Sequence, residues 1–448
     1  MPSVFTADVL VVGAGTSGSY LAWRLAQAGL RVLVLEKRAL DDLGQHIDIF
    51  HVDAVRFAEF DVPLPQGDEV EHLAETGLMW SPDLEVKQEI RYPFYVMHKP
   101  LFHRRLHGYV RDSGGEIVEG ARVTDVILEG QRLVGVRGER GGARADTAFE
   151  ARASLIVDAS GIKAEVRSLL PDGFGVENDR IPDEDRLFVC LEYREGTGGG
   201  GYPSGSNFYP FHKAFWNLGP GEEVILGIGQ PGSYDSAWQQ HRQWREEYFG
   251  DPGRVVRRCQ GTVPFRRSPF SLVGDGFLAV GDAAYQNKPF SGEGVTSGFA
   301  ACQIAAEVIV DALAAGQPDR AALWPYNVRY FRGQGAKFAA GLAQLPATAE
   351  LSRGDVDWLF HHGLIFTQRD FEALNQDYEI PMGLGETVTM GLKMVGGVLG
   401  GGFSAASLRR LLSVSGLAGK IKQHYQGYPD EPAGLAEWAR TARGLWGQ

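Results

Sequence analysis

A carboxylate on a tight turn stands just ahead of a second, glycine-rich turn in the stretch GDAAYQNKPFSGEG, which begins at Gly281. Asp282 follows an apolar run, Phe277 to Val280, of the kind that forms a buried strand. Gly292 to Val295 then lead into a segment with the apolar content of a helix. A strand, a turn bearing one acid and glycines that open a helix form a layout that holds a polar ligand against backbone N–H groups.

The N-terminal stretch VLVVGAGTSGSYLAWRLAQAGLRVLVLEK contains the pattern GxGxxG between an apolar strand and a helix. Gly13 allows the tight turn, Gly15 lets the backbone approach a pyrophosphate, and Gly18 lets the helix pack on the strand. Glu36 ends the second strand, 23 residues after Gly13. An acid at that place accepts hydrogen bonds from ribose hydroxyls and repels a 2′-phosphate. The spacing therefore predicts a dinucleotide site.

The sequence after Lys37 favours FAD over NAD as that dinucleotide. Regular βα units normally follow the first two strands of an NAD-binding domain, whereas GQHIDIFHVDAVRFAEFDVPLP is irregular. A third motif, LIVDASGIKAEVR, begins at Leu155 and places Asp158 and Gly161 after another apolar strand. A nucleotide domain that is interrupted and resumed later in the chain points to FAD.

Taken in order, GxGxxG with Glu36, DASGxxxxVR, and GDAA followed by PxxGEG resemble the motifs of a flavoprotein superfamily that contains the aromatic hydroxylases and the geranylgeranyl reductases. The GEG ending, and GTVPFRRSP just before the GDAA strand, make the chain most similar to the geranylgeranyl reductase family. The resemblance covers roughly residues 1–37, 95–170 and 260–315.

This resemblance implies roles at the flavin end of the cofactor. Asp282 would bind a ribityl hydroxyl of FAD. The backbone of Gly292, Gly294 and Val295 would meet the N1/O2 edge of the flavin, which becomes negative on reduction. A helix N-terminus stabilises such a charge.

The resemblance also implies contacts near the pyrophosphate. Asp158 and Gly161 would lie there, with Arg167 close by. Lys99 stands where the family usually has arginine, so the cofactor contact expected of it keeps the charge but loses the bidentate geometry.

The chain departs from the family at two places. The family's Tyr-x-Trp-x-Phe-Pro becomes Gly205, Asn207 and Tyr209-Pro210, which removes most of its aromatic side chains. The family's Cys-Gly is absent where Gly44-Gln45 stands. These departures bear on the prenyl substrate and leave the flavin motifs intact.

Saturation of a C=C bond by reduced flavin needs a proton as well as a hydride. The fold implied by the resemblance would place GQHIDIFHVD, which begins at Gly44, near the flavin ring. Its titratable members are His46, Asp48, His51 and Asp53. We expect His46 to be the proton donor or a flavin contact.

The predicted fold is α/β: a Rossmann-type FAD-binding domain with an inserted antiparallel β-sheet substrate domain and a helical C-terminal region. The FAD-binding domain should be discontinuous, over 1–80, 95–170 and 260–340. The substrate domain should span 171–260, with a glycine-rich loop at Gly196–Ser206, and the helical region 341–448.

The 448-residue chain carries a net charge of −12, which argues against nucleic acid as a partner. Its three cysteines lie far apart, so the sequence shows no metal or iron–sulfur site. No window of 18 uncharged apolar residues appears, which predicts a cytoplasmic protein without a spanning helix. The glycine-rich Met390–Leu408 is either a packed C-terminal element or a lipid-facing surface, so peripheral membrane contact stays open.

The sequence thus predicts an FAD-dependent oxidoreductase that saturates C=C bonds of a hydrophobic, prenyl or other lipid substrate. The electron donor would be NAD(P)H, acting transiently, or a ferredoxin-like protein. Two alternatives remain at this stage: an aromatic monooxygenase that uses NAD(P)H and oxygen, and a flavin-binding redox protein without turnover.

Overall fold

The computed structural model describes residues 3–141, 147–195, 205–218, 223–250, 253–380 and 384–448. Most of the predicted glycine-rich loop, residues 196–204, lies outside these ranges. The strands are β1 (Ser3–Val12), β2 (Val32–Leu35), β3 (Ile49–Asp53), β4 (Val70–Ala74), β5 (Gly77–Trp80), β6 (Lys87–Ile90), β7 (Phe94–His98), β8 (Glu116–Val118), β9 (Ala121–Glu129), β10 (Arg132–Arg140), β11 (Thr147–Asp158), β12 (Arg186–Glu195), β13 (Ser206–Tyr209), β14 (Ala214–Leu218), β15 (Glu223–Pro231), β16 (Val255–Pro264), β17 (Val273–Gly274) and β18 (Phe277–Ala279).

The helices are α1 (Thr16–Gln27), α2 (Arg56–Glu59), α3 (Lys99–Asp112), α4 (Tyr234–Phe249), α5 (Val295–Ala314), α6 (Arg320–Tyr330), α7 (Ala336–Ala349), α8 (Arg353–His361), α9 (Gln368–Gln376), α10 (Leu384–Leu399), α11 (Ala405–Gln426) and α12 (Leu435–Trp446). A π-helical turn, Phe331–Gly335, joins α6 to α7.

The first sheet carries the nucleotide-binding motifs. Its strand order is β17-β18-β11-β1-β2-β8, and β10 and β9 extend it from β11. The strands β18, β11, β1, β2 and β8 run parallel to one another. Val9 to Val12 are all buried, as expected where helices cover both faces of a parallel sheet. In register, Val12 lies beside Asp158 and Leu35, so the carboxyl ends of these strands meet at one edge.

A second sheet has the order β16-β12-β15-β14-β13-β5-β6 and is antiparallel except where β13 pairs with β5. The helix α4 covers one of its faces with Ala237 and Trp244. A third, small sheet, β3-β7-β4, lies against the other face, where Ile49 and Val96 pack on Leu191 and Ile225. The substrate sheet therefore includes two strands from residues 77–90, well before the predicted insertion.

The region after residue 340 is helical, as predicted. In that region α11 packs along α7, and Tyr425 and Trp438 join the core of the first sheet. The helix α5 is long and apolar enough to cross a membrane by length and composition. It packs against α1 and α6, however, and half of its most apolar window is buried inside the protein. The α/β fold class predicted from the sequence is confirmed.

Candidate functional site

Three turns meet at the carboxyl edge of the parallel sheet. The GxGxxG turn follows β1, the turn from Asp158 to Gly161 follows β11, and the turn at Asp282 follows β18. Backbone hydrogen bonds hold them together, since Ala159 N–H donates to the Val12 carbonyl at 2.9 Å and Val280 N–H to the Asp158 carbonyl at 3.0 Å. In open α/β sheets, ligands bind outside this edge.

The three glycines of the first turn differ in what surrounds them. Gly13 has a φ of +108°, and a Cβ there would stand 2.3 Å from the Ala159 carbonyl oxygen. A Cβ on Gly18 would stand 2.1 Å from the Gly13 carbonyl oxygen, so this glycine is required for α1 to pack on the turn. Gly15, at the N-terminus of α1, has no protein atom within 4 Å of a Cβ position. It borders open space into which helix N–H groups point.

Glu36 is buried behind this turn. Its carboxylate accepts hydrogen bonds from Ala14 N–H at 2.9 Å and from Arg38 N–H at 3.0 Å. His107 Nε2 holds the Ala14 carbonyl oxygen at 2.9 Å from the other side. Glu36 therefore braces the glycine turn, and each of its oxygens retains a second lone pair.

Asp282 and Lys99 are oppositely charged groups that feel each other without touching. Burial raises the pKa of Asp282, an effect that the Lys99 ammonium only partly offsets. Burial likewise lowers the pKa of Lys99 against the opposing effect of Asp282. Within the described ranges neither side chain has a hydrogen bond or an ion pair. Two charges held in this way leave room between them for a polar ligand.

The helix α5 begins beside Asp282. Gly292 has a φ of +74°, Gly294 is the N-cap and makes no side-chain cap, and Val295 is the first helical residue. A Cβ on Gly294 would stand 3.2 Å from Asp282 Oδ1. The carboxylate thus lies against the positive end of a 20-residue helix, whose first N–H groups remain uncapped by any side chain.

Asp158 and Arg167 are bound into the protein itself. The Asp158 carboxylate accepts from Ser160 N–H at 3.0 Å, from the Ser160 hydroxyl and from Arg167 N–H at 2.7 Å. The Arg167 guanidinium is buried and donates to the Ala283 carbonyl and the Tyr285 hydroxyl. This arginine ties the second turn to the third. Gly161, with a φ of +78°, borders open space as Gly15 does.

His46 lies on an exposed turn before β3, and no hydrogen bond or ion pair is found for its ring in the part of the chain that the structure describes. The structure instead brings His51, on β3, to Glu293, immediately before the α5 N-cap. Glu293 also accepts from Lys288 Nζ at 2.8 Å, and Asp53 lies 3.8 Å from the same ammonium.

The four groups of this network set one another's protonation. Burial lowers the pKa of His51, but the Glu293 carboxylate outweighs it and the net pKa is raised. Burial raises the pKa of Glu293, but Lys288 and His51 together hold it far below its usual range. The pKa of Lys288 is raised and burial raises that of Asp53. The protonated His51 is therefore favoured.

The sequence analysis did not identify this network. His51 and Asp53 are two residues apart on one strand, so they share a face, and that alternation was the only local signal. Their partner Glu293 is 242 residues away from His51, a separation that no spacing rule covers.

A small apolar cavity lies between the third sheet and the second. It is lined by Ile49, Phe50, His51, Val96, Leu191, Phe215, Asn217 and Ile225. Two of these are polar: His51, and Asn217, whose buried Oδ1 has no hydrogen-bond partner. Aromatic side chains reach this face from Phe215 and Phe208, whereas Tyr209 faces α4 and Asn207 bonds to the indole of Trp80 at 2.9 Å.

Comparisons with known proteins agree with this geometry. A family model described as NAD(P)-binding Rossmann-like domain matches residues 11–64. The chain is 24% identical to a digeranylgeranylglycerophospholipid reductase from Sulfolobus acidocaldarius, over 97% of this chain and 96% of that protein. It is 26% identical to the protein of the same name from Methanothrix thermoacetophila, over 79% and 90%.

A solved structure has the same fold. It is a geranylgeranyl bacteriochlorophyll reductase-like protein from Thermoplasma acidophilum, 18% identical, with a TM-score of 0.72 over 84% of this chain and 97% of that one. The named relatives favour a reductase over an aromatic monooxygenase or a flavin-binding protein without turnover. Together with the three turns at the sheet edge, they confirm the resemblance seen in the motifs: the chain is a geranylgeranyl reductase-like flavoprotein oxidoreductase.

Proposed function

We propose that the protein is an FAD-dependent reductase that saturates C=C bonds of a prenyl lipid. The observation that carries the proposal is the Asp282–Lys99 pair: two buried, opposite charges without partners, at the edge where three nucleotide-binding turns meet. An apolar cavity with one titratable wall residue, His51, lies in the adjoining sheets. His51 is also bonded to Glu293, which precedes the α5 N-cap, so cavity and turns share one wall.

The residues at the sheet edge fit FAD. The open space beside Gly15 and Gly161 accommodates a pyrophosphate against helix N–H groups, with Gly13 and Gly18 shaping the turn. The free lone pairs of Glu36 are suited to ribose hydroxyls.

At the flavin end, Asp282 is suited to a ribityl hydroxyl and Lys99 to an adjacent polar oxygen of the cofactor. The backbone from Gly292 to Val295 faces the position where reduced flavin carries negative charge. Asp158 supports the second turn rather than offering free acceptors. Bound FAD would supply the hydride.

We propose His51 as the proton donor for the same reduction. Two C–H bonds form as the π bond breaks, one with the hydride and one with the proton from His51, which is left neutral and takes a new proton from water. His51 lines the cavity and is held protonated by Glu293, whereas His46, the residue expected from the sequence, is exposed. Because His46 offers a titratable group on the same segment, it serves as the matched control.

The relatives named above act, by their names, on digeranylgeranylglycerophospholipids. We propose a lipid of that prenyl class as substrate, with the reducible chain in the cavity. We further propose NAD(P)H or a ferredoxin-like protein as electron donor and a cytoplasmic location with peripheral membrane contact. The domain limits proposed from the sequence are 1–80, 95–170 and 260–340 for FAD, 171–260 for substrate and 341–448 for the helical region.

The test is anaerobic. The purified flavoprotein is reduced with dithionite, mixed with detergent-dispersed geranylgeranyl lipids, and followed by flavin absorbance and product mass. Reoxidation of flavin with one added H₂ per reduced bond supports the proposal. Reduced flavin that persists until oxygen enters, with no saturated product from any prenyl lipid, would overturn it.

A further inference from the structure

The C-terminal region exposes an apolar stripe that no part of the described chain covers. Val388, Leu392, Val395 and Leu399 occupy positions i, i+4, i+7 and i+11 of α10 and so share one face. Their side chains are 45–84% exposed, with Leu399 the most exposed of the large apolar residues. We call these four residues the α10 surface. Soluble monomers rarely expose so continuous a row.

The opposite face of α10 is its packing face. Met394 is buried in a cluster with Leu359 and Phe403. A Cβ on Gly397 would stand 2.4 Å from the Trp358 ring, so this glycine lets α10 approach α8 closely. Since the helix already buries this side, the α10 surface is not a misassigned core face.

Positive charge surrounds the α10 surface. Residues 384–426 contain five lysines and arginines and one acid, a net charge of +4 in a chain whose total is −12. The single acid, Glu386, pairs with Arg369 outside this segment. Lys393, Arg409 and Lys420 are exposed and, within the described ranges, have no acidic partner within 4 Å. The next helix adds two exposed leucines, Leu412 and Leu417.

We propose that the α10 surface docks on a lipid bilayer that carries anionic headgroups. An apolar helix face inserts at the boundary of headgroups and acyl chains, and basic residues beside it are attracted to anionic lipids. The same charges argue against a second copy as occupant, because a symmetric pairing would bring the basic residues of both copies together.

The α10 surface is joined to the proposed substrate sheet through one layer of helices. The helix α8 packs on α10 with Leu359 and on the β5–β6 end of the sheet with Val356 and Phe360. A docked protein would therefore hold the lipid-binding sheet close to the membrane that contains its substrate. In this purpose the inference rests on the proposed function, but the binding itself does not.

The test is flotation of the full-length flavoprotein with vesicles, with no turnover involved. We expect binding to vesicles of phosphatidylcholine and phosphatidylglycerol, weaker binding to phosphatidylcholine alone, and a loss of binding as salt is raised. The double variant Leu392→Asn/Leu399→Asn should bind at least roughly tenfold more weakly. Lys393→Gln/Lys420→Gln should lose the preference for anionic vesicles. The matched control is Leu64→Asn, an exposed leucine elsewhere on the chain.

Flavin content and thermal unfolding verify that each variant is folded. Wild-type protein that does not float with anionic vesicles, or leucine variants that float as well as wild type, would overturn the proposal. So would a wild-type dimer that the leucine substitutions convert to a monomer, because the α10 surface would then be an interface between copies. Absence of turnover on detergent-dispersed lipid would count against the proposed function alone.

Discussion

The substitution Glu293→Gln tests whether one carboxylate keeps His51 protonated. Glutamine preserves the size of the side chain and a hydrogen bond to the ring, but it removes the negative charge. What remains around His51 is burial and the Lys288 ammonium, and both lower its pKa. The variant should therefore move the pKa of His51 from above its ordinary value to below it.

The size of the effect follows from the loss of an adjacent opposite charge, which typically moves a pKa by about 1 to 3 pH units. This range corresponds to about 1.4 to 4 kcal/mol. In the wild type, the folded pKa of His51 is raised above the unfolded value of 6.5. Its contribution to stability is therefore present below pH 6.5 and is lost as the pH rises through the folded pKa.

In Glu293→Gln the sign is reversed. The folded pKa falls below 6.5, so stability is lost as the pH drops from 6.5 through the folded pKa. The free energy of unfolding of wild type minus variant should therefore be largest at low pH and shrink by about 1.4 to 4 kcal/mol towards high pH.

Urea unfolding between about pH 5 and 9 measures this difference, and NMR titration of the histidine Cε1–H resonances measures the pKa directly. His51→Gln identifies the His51 signal, and His46→Gln provides a control histidine that should titrate identically in both backgrounds. A difference in unfolding free energy that is flat with pH, or a pKa of His51 unchanged by the substitution, would refute the electrostatic reasoning.

Three further predictions concern the sheet edge. Gly15→Ala should fold with a stability within about 1 kcal/mol of wild type yet lose flavin, whereas Gly18→Ala, whose Cβ would meet the Gly13 carbonyl at 2.1 Å, should be destabilised as well; equal unfolding midpoints for the two would contradict this. Asp282→Asn should release flavin on gel filtration while raising the melting temperature of the flavin-free protein at neutral pH, because burial disfavours the ionised carboxylate; full flavin retention would remove Asp282 from the site. Arg167→Met should lower the free energy of unfolding by about 3 kcal/mol through carbonyls left unbonded, measured by urea unfolding; an unchanged midpoint would contradict the tie between turns.

Local sequence was sufficient for the sheet edge. Each turn there requires particular residue types, such as Gly13 for a positive φ and Gly18 for a close approach of backbones, and such requirements are visible in a short window. The apolar strands β1, β2 and β11 are equally legible, because a parallel strand buried on both faces shows an uninterrupted apolar run. The α/β fold followed from these elements and their order.

Long-range pairing was not accessible in the same way. The strands β5 and β6 join the substrate sheet by pairing β5 with β13, more than a hundred residues later, and strand pairing over such a distance leaves no trace in spacing. The same holds for His51, whose importance depends on Glu293. His46 and His51 belong to one segment and are equally titratable from sequence; only the fold leaves the first exposed and gives the second a charged partner.

The start of α5 separates structural from ligand-binding charge. Two carboxylates lie beside the same helix N-terminus, Glu293 just before it and Asp282 against Gly294. Glu293 is bonded by His51 and Lys288, so its charge is neutralised within the protein. Asp282 has no hydrogen bond in the described ranges, although burial makes its charge costly. A buried charge without a partner persists only where something outside the chain compensates it, so at this helix end Asp282 is the carboxylate assigned to the cofactor and Glu293 the one assigned to holding His51.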